Sequence, residues 1–464
     1  MRVASLLAVS VAVAGCAGGS PVRTPPVTST PDDTAAGPDD TATEPVPDPG
    51  PVVRVHPSVA TILEVDWTQP ADAEAAWVSW TFEGVDAASP RVPVPAGPAH
   101  AVVLGLPAGV RVDLTLHQVI DGVEAEVWTG PGTTGVLPAP LVPPVLTDRD
   151  PTRARPEPYL LTSVNVGPID FFGPCWTVIL DAAGRIVWYR ETPDSRLTWQ
   201  PRVSRRGGYL VLDASSVYAS GAIPTIDRVT LDLAQHEEVV VEGLSTGSDE
   251  LDDGSFVFGE MVDTVQFHLT VQHPDGSRER LWDCYPWISG WYPDFWGCSP
   301  NTVTWDPVRQ TVLWSMFETD TVLELTLDGA IVTELGAFPG GLAFDPPQSA
   351  FALQHYPNWT SDGHLILSSH DPWDDTRQVA REYALDPVDG VAREVWSLDA
   401  EVFADYAGQI QRLPSGNLLW QLGTAGIISE LTPAGEVVWR ITWADHLTGN
   451  ATPVADLYGL NTGW

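Results

Sequence analysis

Residues 53–140 consist of short runs in which apolar and polar residues alternate. The runs at 76–82 (AWVSWTF) and 110–116 (VRVDLTL) show this alternation. A period of two places every second side chain on the same face, as in a strand with one buried side. Gly, Pro and Asp separate the runs, and no stretch has the period of a long amphipathic helix. The pattern predicts an all-β protein.

Residues 53–145 predict a small antiparallel β-sandwich. The domain would contain four runs, at 60–67, 76–82, 100–104 and 110–116. The segment LGLPAG at 104–109 precedes a Val/Leu strand and resembles the turn before a late strand of fibronectin type III-like domains. We therefore expect a fibronectin type III-like sandwich, followed by a Pro-rich joint at 138–158.

A weaker pattern of strand, turn and strand repeats along residues 155–445. Outer hairpins are predicted at 180–188, 325–332, 383–396 and 431–439, and inner strands at 207–212, 253–258, 362–367 and 415–420. Counting them gives six units of about 35 to 48 residues. Radial repetition of small four-stranded sheets explains the pattern, because one such sheet cannot bury both of its faces. We expect a six-bladed β-propeller at 155–445 and a C-terminal tail at 446–464.

The first residues have the features of an export signal. Residues 1–15 contain Arg2, an apolar run at 6–13 and then small residues, which predicts a secretory signal peptide. The apolar run is too short to span a bilayer. The segment VAGC at 13–16 resembles the bacterial lipobox, in which the cysteine is lipidated and becomes the first mature residue. This resemblance implies an exported protein, lipid-anchored through Cys16 to the bacterial cell envelope on its periplasmic side or at the cell surface. Ordinary cleavage nearby, with Cys16 left as a thiol, is the alternative.

Residues 16–52 consist mainly of Pro, Thr, Asp, Gly and Ala, with few large apolar side chains. Such a segment cannot bury enough surface to offset the entropy lost on ordering. We expect a disordered stalk between the anchor and the sandwich.

The net charge of the chain and the sequence motifs that it lacks restrict the classes of ligand and macromolecule that it can bind. The chain has 23 Arg and no Lys against 61 Asp and Glu, a formal net charge of −38, which argues against nucleic-acid binding. It has no Gly-rich phosphate cradle, zinc-ligand spacing or nucleophile elbow, so we expect no cofactor. The segment HDPWDD at 370–375 has groups that suit a metal, but its spacing matches no defined site. We interpret it as an exposed loop and expect no metal.

Three cysteines follow Cys16. Cys284 and Cys298 flank an aromatic, Pro/Gly-rich stretch that is predicted to form one long loop, and export permits disulfides, so we expect these two to pair. The aromatic side chains between them either floor a pocket for an aromatic or glycan ligand or pack over the propeller face. Cys175 lies in a strand pattern and is expected to be a buried apolar residue.

In a propeller, the first strand of each blade lines the central channel, so a site draws residues from several blades. Polar residues in or just before these strands are Gln200, Arg202, Thr246, Asp249, Ser299, Asn301, Gln354, His355, Gln409 and Gln411. His355 is the most reactive of them, as a nucleophile or proton carrier near neutral pH. A hydrogen-bonded structural role is the alternative for His355, and satisfaction of backbone groups is the alternative for Asn301.

Several segments resemble the later blades of the bacterial arylsulfate sulfotransferase family. They are Gln354-His355, SDGHLIL at 361–367, VAREYALD at 379–386, REVW at 393–396, QIQRLPSGN at 409–417 and LYG at 457–459. The resemblance covers residues 159–460, with the sandwich before it also in the family's order. Family members are exported six-bladed propellers that move a sulfuryl group between phenols through a sulfohistidine. The resemblance implies a small phenolic or sulfated partner, with His355 as nucleophile and Asn301 as its catalytic partner.

Other family positions are occupied by unsuitable residues. Ser299 stands where the family has the histidine of a His-x-Asn motif, and the segment SMF at 315–317 replaces a sulfate-binding Arg. Thr246 and Gly247 lie where an early His-Asp element is expected. Sulfuryl transfer has an anion-rich transition state, so these losses remove stabilisation of several kcal/mol.

Four residues would have to replace the lost groups as substrate-binding residues, namely Gln200, Arg202, Gln354 and Gln409. Two functions therefore stay open. One is an enzyme acting through His355, and the other is a ligand- or protein-binding propeller that kept the scaffold and lost the chemistry.

Overall fold

The computed structural model describes residues 50–166, 173–215, 222–263, 266–290, 298–336, 338 and 340–463. The predicted signal peptide, Cys16 and all but the last residues of the predicted stalk lie outside this range. Most regular structure in the described residues is β-strand, with one short helix, α1 (Cys284–Ser289), and 3-10 turns at Pro193–Ser195, Phe317–Thr319, Pro347–Ser349 and Tyr458–Leu460. No helix in the described residues is long and apolar enough to cross a membrane.

The first eight strands form two antiparallel sheets. One contains β1 (Val52–Val55), β2 (Leu63–Gln69) and β6 (Gly97–Val103), in that order. The other has the order β4 (Val85–Ala88), β3 (Ala73–Phe82), β7 (Arg111–Ile120), β8 (Val123–Thr133), with β5 (Val92–Pro93) beside β3. Alternate residues of both sheets, including Val65, Val78 and Leu114, pack into one buried cluster. The two sheets lie within the residues for which the alternation predicted a sandwich.

Six further sheets follow along the chain, each a meander of antiparallel strands. Sheet 1 contains β10 (Tyr159–Val166), β11 (Cys175–Asp181) and β12 (Ile186–Thr192); sheet 2 contains β13 (Arg202–Val203), β14 (Leu210–Ala214), β15 (Thr225–Val229) and β16 (His236–Val240). Sheet 3 contains β17 (Leu244–Glu250), β18 (Phe256–Met261), β19 (Phe267–Gln272) and β20 (Arg278–Asp283); sheet 4 contains β21 (Thr302–Asp306), β22 (Thr311–Met316), β23 (Thr321–Thr326) and β24 (Ile331–Gly336).

Sheets 5 and 6 each gain an extra outer strand. Sheet 5 contains β26 (Ala352–Trp359), β27 (Leu365–Asp371), β28 (Asp374–Asp386) and β29 (Val391–Asp399), with β25 (Ala343–Asp345) parallel to β29. Sheet 6 contains β30 (Gly408–Arg412), β31 (Leu418–Leu422), β32 (Ile427–Leu431) and β33 (Val437–Thr442), with β9 (Val145–Arg149) on β33. The extra strands cover edges that would otherwise present unpaired backbone groups.

The chain end completes sheet 1. β34 (His446–Thr448) and β35 (Thr452–Val454) both pair antiparallel with β10. These residues belong to the segment that sequence analysis assigned to a tail. The first strands of neighbouring sheets also contact each other in turn, β17 with β21, β21 with β26 and β26 with β30. Consecutive meanders whose last strands join the first sheet are the arrangement of a β-propeller.

Two cysteine predictions can be compared with the structure. Cys284 and Cys298 form a disulfide, which confirms the predicted pair. Cys175 is buried and unbridged, and burial raises the pKa of its thiol to about 12. Such a thiol remains protonated at neutral pH and is a poor nucleophile.

Candidate functional site

A cavity of about 330 Å³ opens at the face where the loops entering the first strands converge. All six sheets contribute to its walls. The lining residues are Trp199, Gln200, Thr246, Ser299, Asn301, Thr302, Phe317, Glu318, Leu353, His355, Tyr356, Asp405, Tyr406, Ala407, Gly408, Gly449 and Asn450. The cavity therefore brings together His355, Asn301 and Gln200, three of the residues that sequence analysis singled out.

An irregular stretch of β26 positions His355. The pairing of β26 with β27 shifts register on both sides of His355. Leu353 and Tyr356 adopt left-handed backbone angles, with φ of 48° and 47°, and the Leu353 N–H donates to the Asp320 carboxylate at 2.7 Å. Bulges of this kind redirect side chains and are common beside functional sites, and each left-handed non-glycine residue costs about 1–3 kcal/mol. The bulged backbone places the imidazole at the cavity.

Backbone groups hold both ring nitrogens of His355. Nδ1 lies 2.9 Å from the Leu353 carbonyl oxygen, and the Ala407 N–H donates to Nε2 at 3.2 Å. A carbonyl oxygen can only accept, so Nδ1 carries the proton and Nε2 presents its lone pair to Ala407. Burial lowers the pKa of His355 to about 4. His355 is thus neutral at pH 7, and its Nε2 lone pair is occupied.

Asn301 and Asn450 both line the cavity. The Asn301 side chain donates through Nδ2 to the Gln354 carbonyl oxygen at 2.6 Å. Asn301 Oδ1 and Asn450 Nδ2 are buried and have no protein partner among the described residues. Because neither atom is exposed to solvent, neither is open to a ligand that occupies the cavity.

Gln354 and Gln409 do not line the cavity. The Gln354 side chain is fully buried and donates to Ser315 Oγ at 3.1 Å and to the Thr321 carbonyl oxygen at 2.8 Å. Gln409 Oε1 accepts the Ala451 N–H at 2.6 Å. The two side chains tie β26 to sheet 4 and β30 to the chain end, so their contacts are structural.

Arg202 lies in the channel and is neutralised there. Its guanidinium donates to Asp249 Oδ1 at 2.9 Å and to Ser248 Oγ at 3.1 Å. Asp249 also accepts from Arg205 at 3.1 Å and from the Trp305 N–H at 2.8 Å. Burial alone would raise the pKa of Asp249, but the two arginines hold it below its usual value. Arg202 is therefore committed to an internal ion pair.

The charged residues on the cavity wall are both acidic. Glu318 lies between β22 and β23, and Asp405 precedes β30. The surrounding protein raises the pKa of the Glu318 carboxyl through desolvation. No described lining residue is an arginine. Sequence analysis missed both carboxylates because they lie outside the first strands, and it missed Asn450 because that residue lies in the segment assigned to a tail.

The described half of the aromatic stretch packs over sheet 4. Trp282 lies edge-on to Trp314 at 5.7 Å between ring centroids, and Trp287 lies edge-on to Phe338 at 5.0 Å. Trp287 Nε1 also donates to Glu334 at 2.9 Å. For these residues the packing alternative holds. Trp291, Tyr292, Phe295 and Trp296 lie outside the described residues.

The segment at 370–375 is not uniformly exposed. His370 and Asp371 are buried, and His370 Nε2 lies 3.0 Å from the Ala404 carbonyl oxygen. Trp373 is 62% exposed. Within the described ranges, no group of three or more His, Cys, Asp or Glu side chains is arranged to hold a metal ion.

Comparison with known proteins identifies structural neighbours only. No family model matches the chain, and no curated protein matches it. A protein of unknown function from Bacteroides caccae is 13% identical, with a TM-score of 0.44, covering 65% of this chain and 100% of that one. The periplasmic gluconolactonase PpgL of Pseudomonas aeruginosa is 14% identical, with a TM-score of 0.39 and coverages of 82% and 99%.

A virginiamycin B lyase from Staphylococcus aureus is similarly distant. It is 14% identical to this chain, with a TM-score of 0.37 and coverages of 64% and 100%. The function must therefore be argued from the residues of the cavity.

Proposed function

We propose that this protein is an exported binding propeller whose cavity takes a small molecule with an apolar or aromatic face and no negative charge. The observation that carries this proposal is the charge of the wall, where Glu318 and Asp405 are acidic and no described lining residue is an arginine. Anions are bound by cationic groups or clustered N–H donors, and a pair of carboxylates repels them. Trp199, Phe317 and Tyr356 supply apolar surface.

The proposal includes an overall architecture. The six sheets are six blades, closed by β34 and β35 on β10, and the two-sheet domain before them is fibronectin type III-like. Descent from the arylsulfate sulfotransferase family is proposed on the sequence motifs alone. Residues 1–15 direct export, and Cys16 carries the lipid anchor to the cell envelope.

Sulfuryl transfer through His355 is the second candidate. It is favoured by the presence of His355 and Asn301 on the wall of one cavity. In that reaction Nε2 would form a bond to sulfur while the phenolate oxygen departs with the S–O electron pair. The Ala407 amide would first have to leave Nε2, and a cation would have to stabilise the anionic transition state. The described cavity supplies no such cation.

Two measurements test these candidates. Calorimetric titration with 4-tert-butylphenol should show binding, and Trp199→Ala should weaken that binding. Trp373 is an exposed tryptophan outside the cavity, so Trp373→Ala is the control and should leave the affinity unchanged. Incubation with 4-nitrophenyl sulfate and a phenol acceptor should give no turnover. Robust turnover that disappears in His355→Ala would establish the enzyme and refute the binding proposal.

A further inference from the structure

Buried or half-buried carboxylates of the propeller are generally paired with arginine. Glu324 accepts from Arg309 at 2.8 Å, and Glu430 pairs with Arg155 at 3.3 Å. The channel carboxylate Asp249 has two arginine partners. In such pairs the arginine neutralises the negative charge of the carboxylate, so the carboxylate does not attract a cationic ligand.

Glu318 and Asp405 differ from these carboxylates. Among the described residues, neither forms an ion pair or a side-chain hydrogen bond, and both are exposed to the cavity. His370 is the titratable neighbour of Asp405, and burial lowers the pKa of that histidine, so it does not supply a compensating charge at pH 7. The negative charge at the cavity therefore remains uncompensated.

Each of these carboxylates follows or precedes an aromatic residue on the same wall. Phe317 precedes Glu318, and Tyr406 follows Asp405. Trp199 and Tyr356 add two more rings, and burial raises the pKa of Tyr356 to about 12, so its hydroxyl stays neutral. Aromatic faces attract cations through their quadrupole, and the attraction grows when the cation is shielded from water.

The rest of the site adds no opposing charge. His355 is neutral, and Arg202 is paired with Asp249 outside the cavity wall. The formal net charge of −38 raises the concentration of small cations near the surface and speeds their arrival. The negative electrostatic field of the protein, the aromatic rings of the wall and the two carboxylates all favour a cationic ligand.

We infer that the cavity selects organic cations, namely an ammonium or quaternary ammonium group held between Glu318, Asp405 and the aromatic wall. This inference rests on the proposed binding function and names its ligand class.

Three para-substituted phenols of different charge test the inference. They are 4-(trimethylammonio)phenol, its uncharged isostere 4-tert-butylphenol, and the anionic 4-hydroxybenzenesulfonate. We expect calorimetric titration of the full chain to show the cation binding about tenfold more tightly than the isostere, with no measurable binding of the anion. Raising the salt concentration should lower the binding affinity of the cation only.

Charge-removing variants assign the effect to the two carboxylates. Glu318→Gln and Asp405→Asn should each reduce the affinity for 4-(trimethylammonio)phenol about threefold to tenfold and should not reduce that for 4-tert-butylphenol. Glu279→Gln, on the exposed face of β20, is the control and should change neither affinity.

The outcomes separate this inference from the proposed function. Equal affinities for the cation and 4-tert-butylphenol, both lost in Trp199→Ala, would overturn the inference and keep the binding function. Preferential binding of 4-hydroxybenzenesulfonate would overturn both and favour an anion site. Failure of all three phenols to bind would also overturn both.

Discussion

The imidazole of His355 lies between the Leu353 carbonyl and the Ala407 amide. Each contact fixes whether one ring nitrogen carries the proton or the lone pair. A nucleophilic histidine needs a free lone pair aimed at the substrate. The Nε2 lone pair of His355 instead accepts from a backbone amide of the loop before β30, 52 residues away in the chain. At the residue scale, His355 links two blades through hydrogen bonds and contributes a neutral polar surface to the cavity.

The protonation of His355 gives a pH prediction. Its pKa of about 4 in the folded protein lies below the value near 6.5 of an unfolded chain. The unfolded state therefore takes up the proton first as the pH falls, so this contribution to stability is present above about pH 6.5 and is lost toward about pH 4. Between about pH 7.5 and about pH 5, His355 should lower the free energy of unfolding by about 2 kcal/mol.

Urea denaturation of the wild type and of His355→Asn at both pH values measures this effect. On acidification, the free energy of unfolding of the variant should fall by about 2 kcal/mol less than that of the wild type. Identical losses in the two proteins would contradict the assignment of a neutral, buried imidazole.

At the scale of elements, the propeller depends on strands contributed by both ends of its sequence. β34 and β35 pair with β10, so sheet 1 contains chain segments almost 300 residues apart. Leu447 of β34 is 4% exposed and pairs with Asn165 of β10. Closure of this kind joins first and last sheets without a covalent link.

Truncation of Leu447 should therefore destabilise the whole propeller. Leu447→Ala removes buried methyl groups and should lower the free energy of unfolding by about 2–4 kcal/mol, measured by urea denaturation. Val388, which is 95% exposed in the turn after β28, is the control, and Val388→Ala should change stability by less than about 0.5 kcal/mol. A small effect of the Leu447 change would show that β34 does not close the ring.

At the scale of the whole molecule, the sandwich is attached to the propeller by buried contacts. The Tyr458 hydroxyl donates to the Val102 carbonyl oxygen at 3.0 Å and accepts the Leu104 N–H at 3.2 Å. The Tyr189 hydroxyl accepts the Ala60 N–H at 2.8 Å. One buried cluster includes residues of both domains, so we expect them to unfold together.

Removing the Tyr458 hydroxyl tests this coupling. Tyr458→Phe leaves the Val102 carbonyl and the Leu104 amide without their partner, which should cost about 1–2 kcal/mol of stability. Calorimetry should show one thermal transition in the wild type and a lower Tm in the variant. Tyr285→Phe, at a half-exposed position of α1, is the control. An unchanged Tm in Tyr458→Phe would mean that the two domains are not coupled through this residue.

The proposed lipid anchor makes a separate prediction for the whole molecule. Cys16→Ser removes the thiol that the lipobox resemblance requires, so the variant should leave the membrane fraction or accumulate as an unprocessed precursor. Fractionation and immunoblotting of cells expressing each form measure this. Unchanged membrane retention and processing would show that Cys16 is not the anchor.

Much of the fold was predictable because strand patterning is local. Alternation in β2, β3 and β7 identifies the faces that pack in the sandwich, and Gly- and Asp-containing turns locate the hairpins of the sheets. The Cys284–Cys298 pair was also predictable, since both residues flank one aromatic, Pro/Gly-rich segment of the sequence. The position of His355 and Asn301 at one site followed from their places near the first strands.

The site itself was decided by contacts between distant segments. Periodicity shows which face of a strand is buried, but it does not show which loops from other sheets meet that face. Gln354 faces sheet 4, Arg202 meets Asp249, and Ala407 reaches His355 only because the sheets are arranged in a ring. The unpaired state of Glu318 and Asp405 likewise depends on where every arginine lies. The sequence by itself determined an all-β chain with a histidine near the channel mouth. Tertiary packing decided that the charge at this mouth is neutral to negative, because contacts between distant segments set which charged side chains are paired.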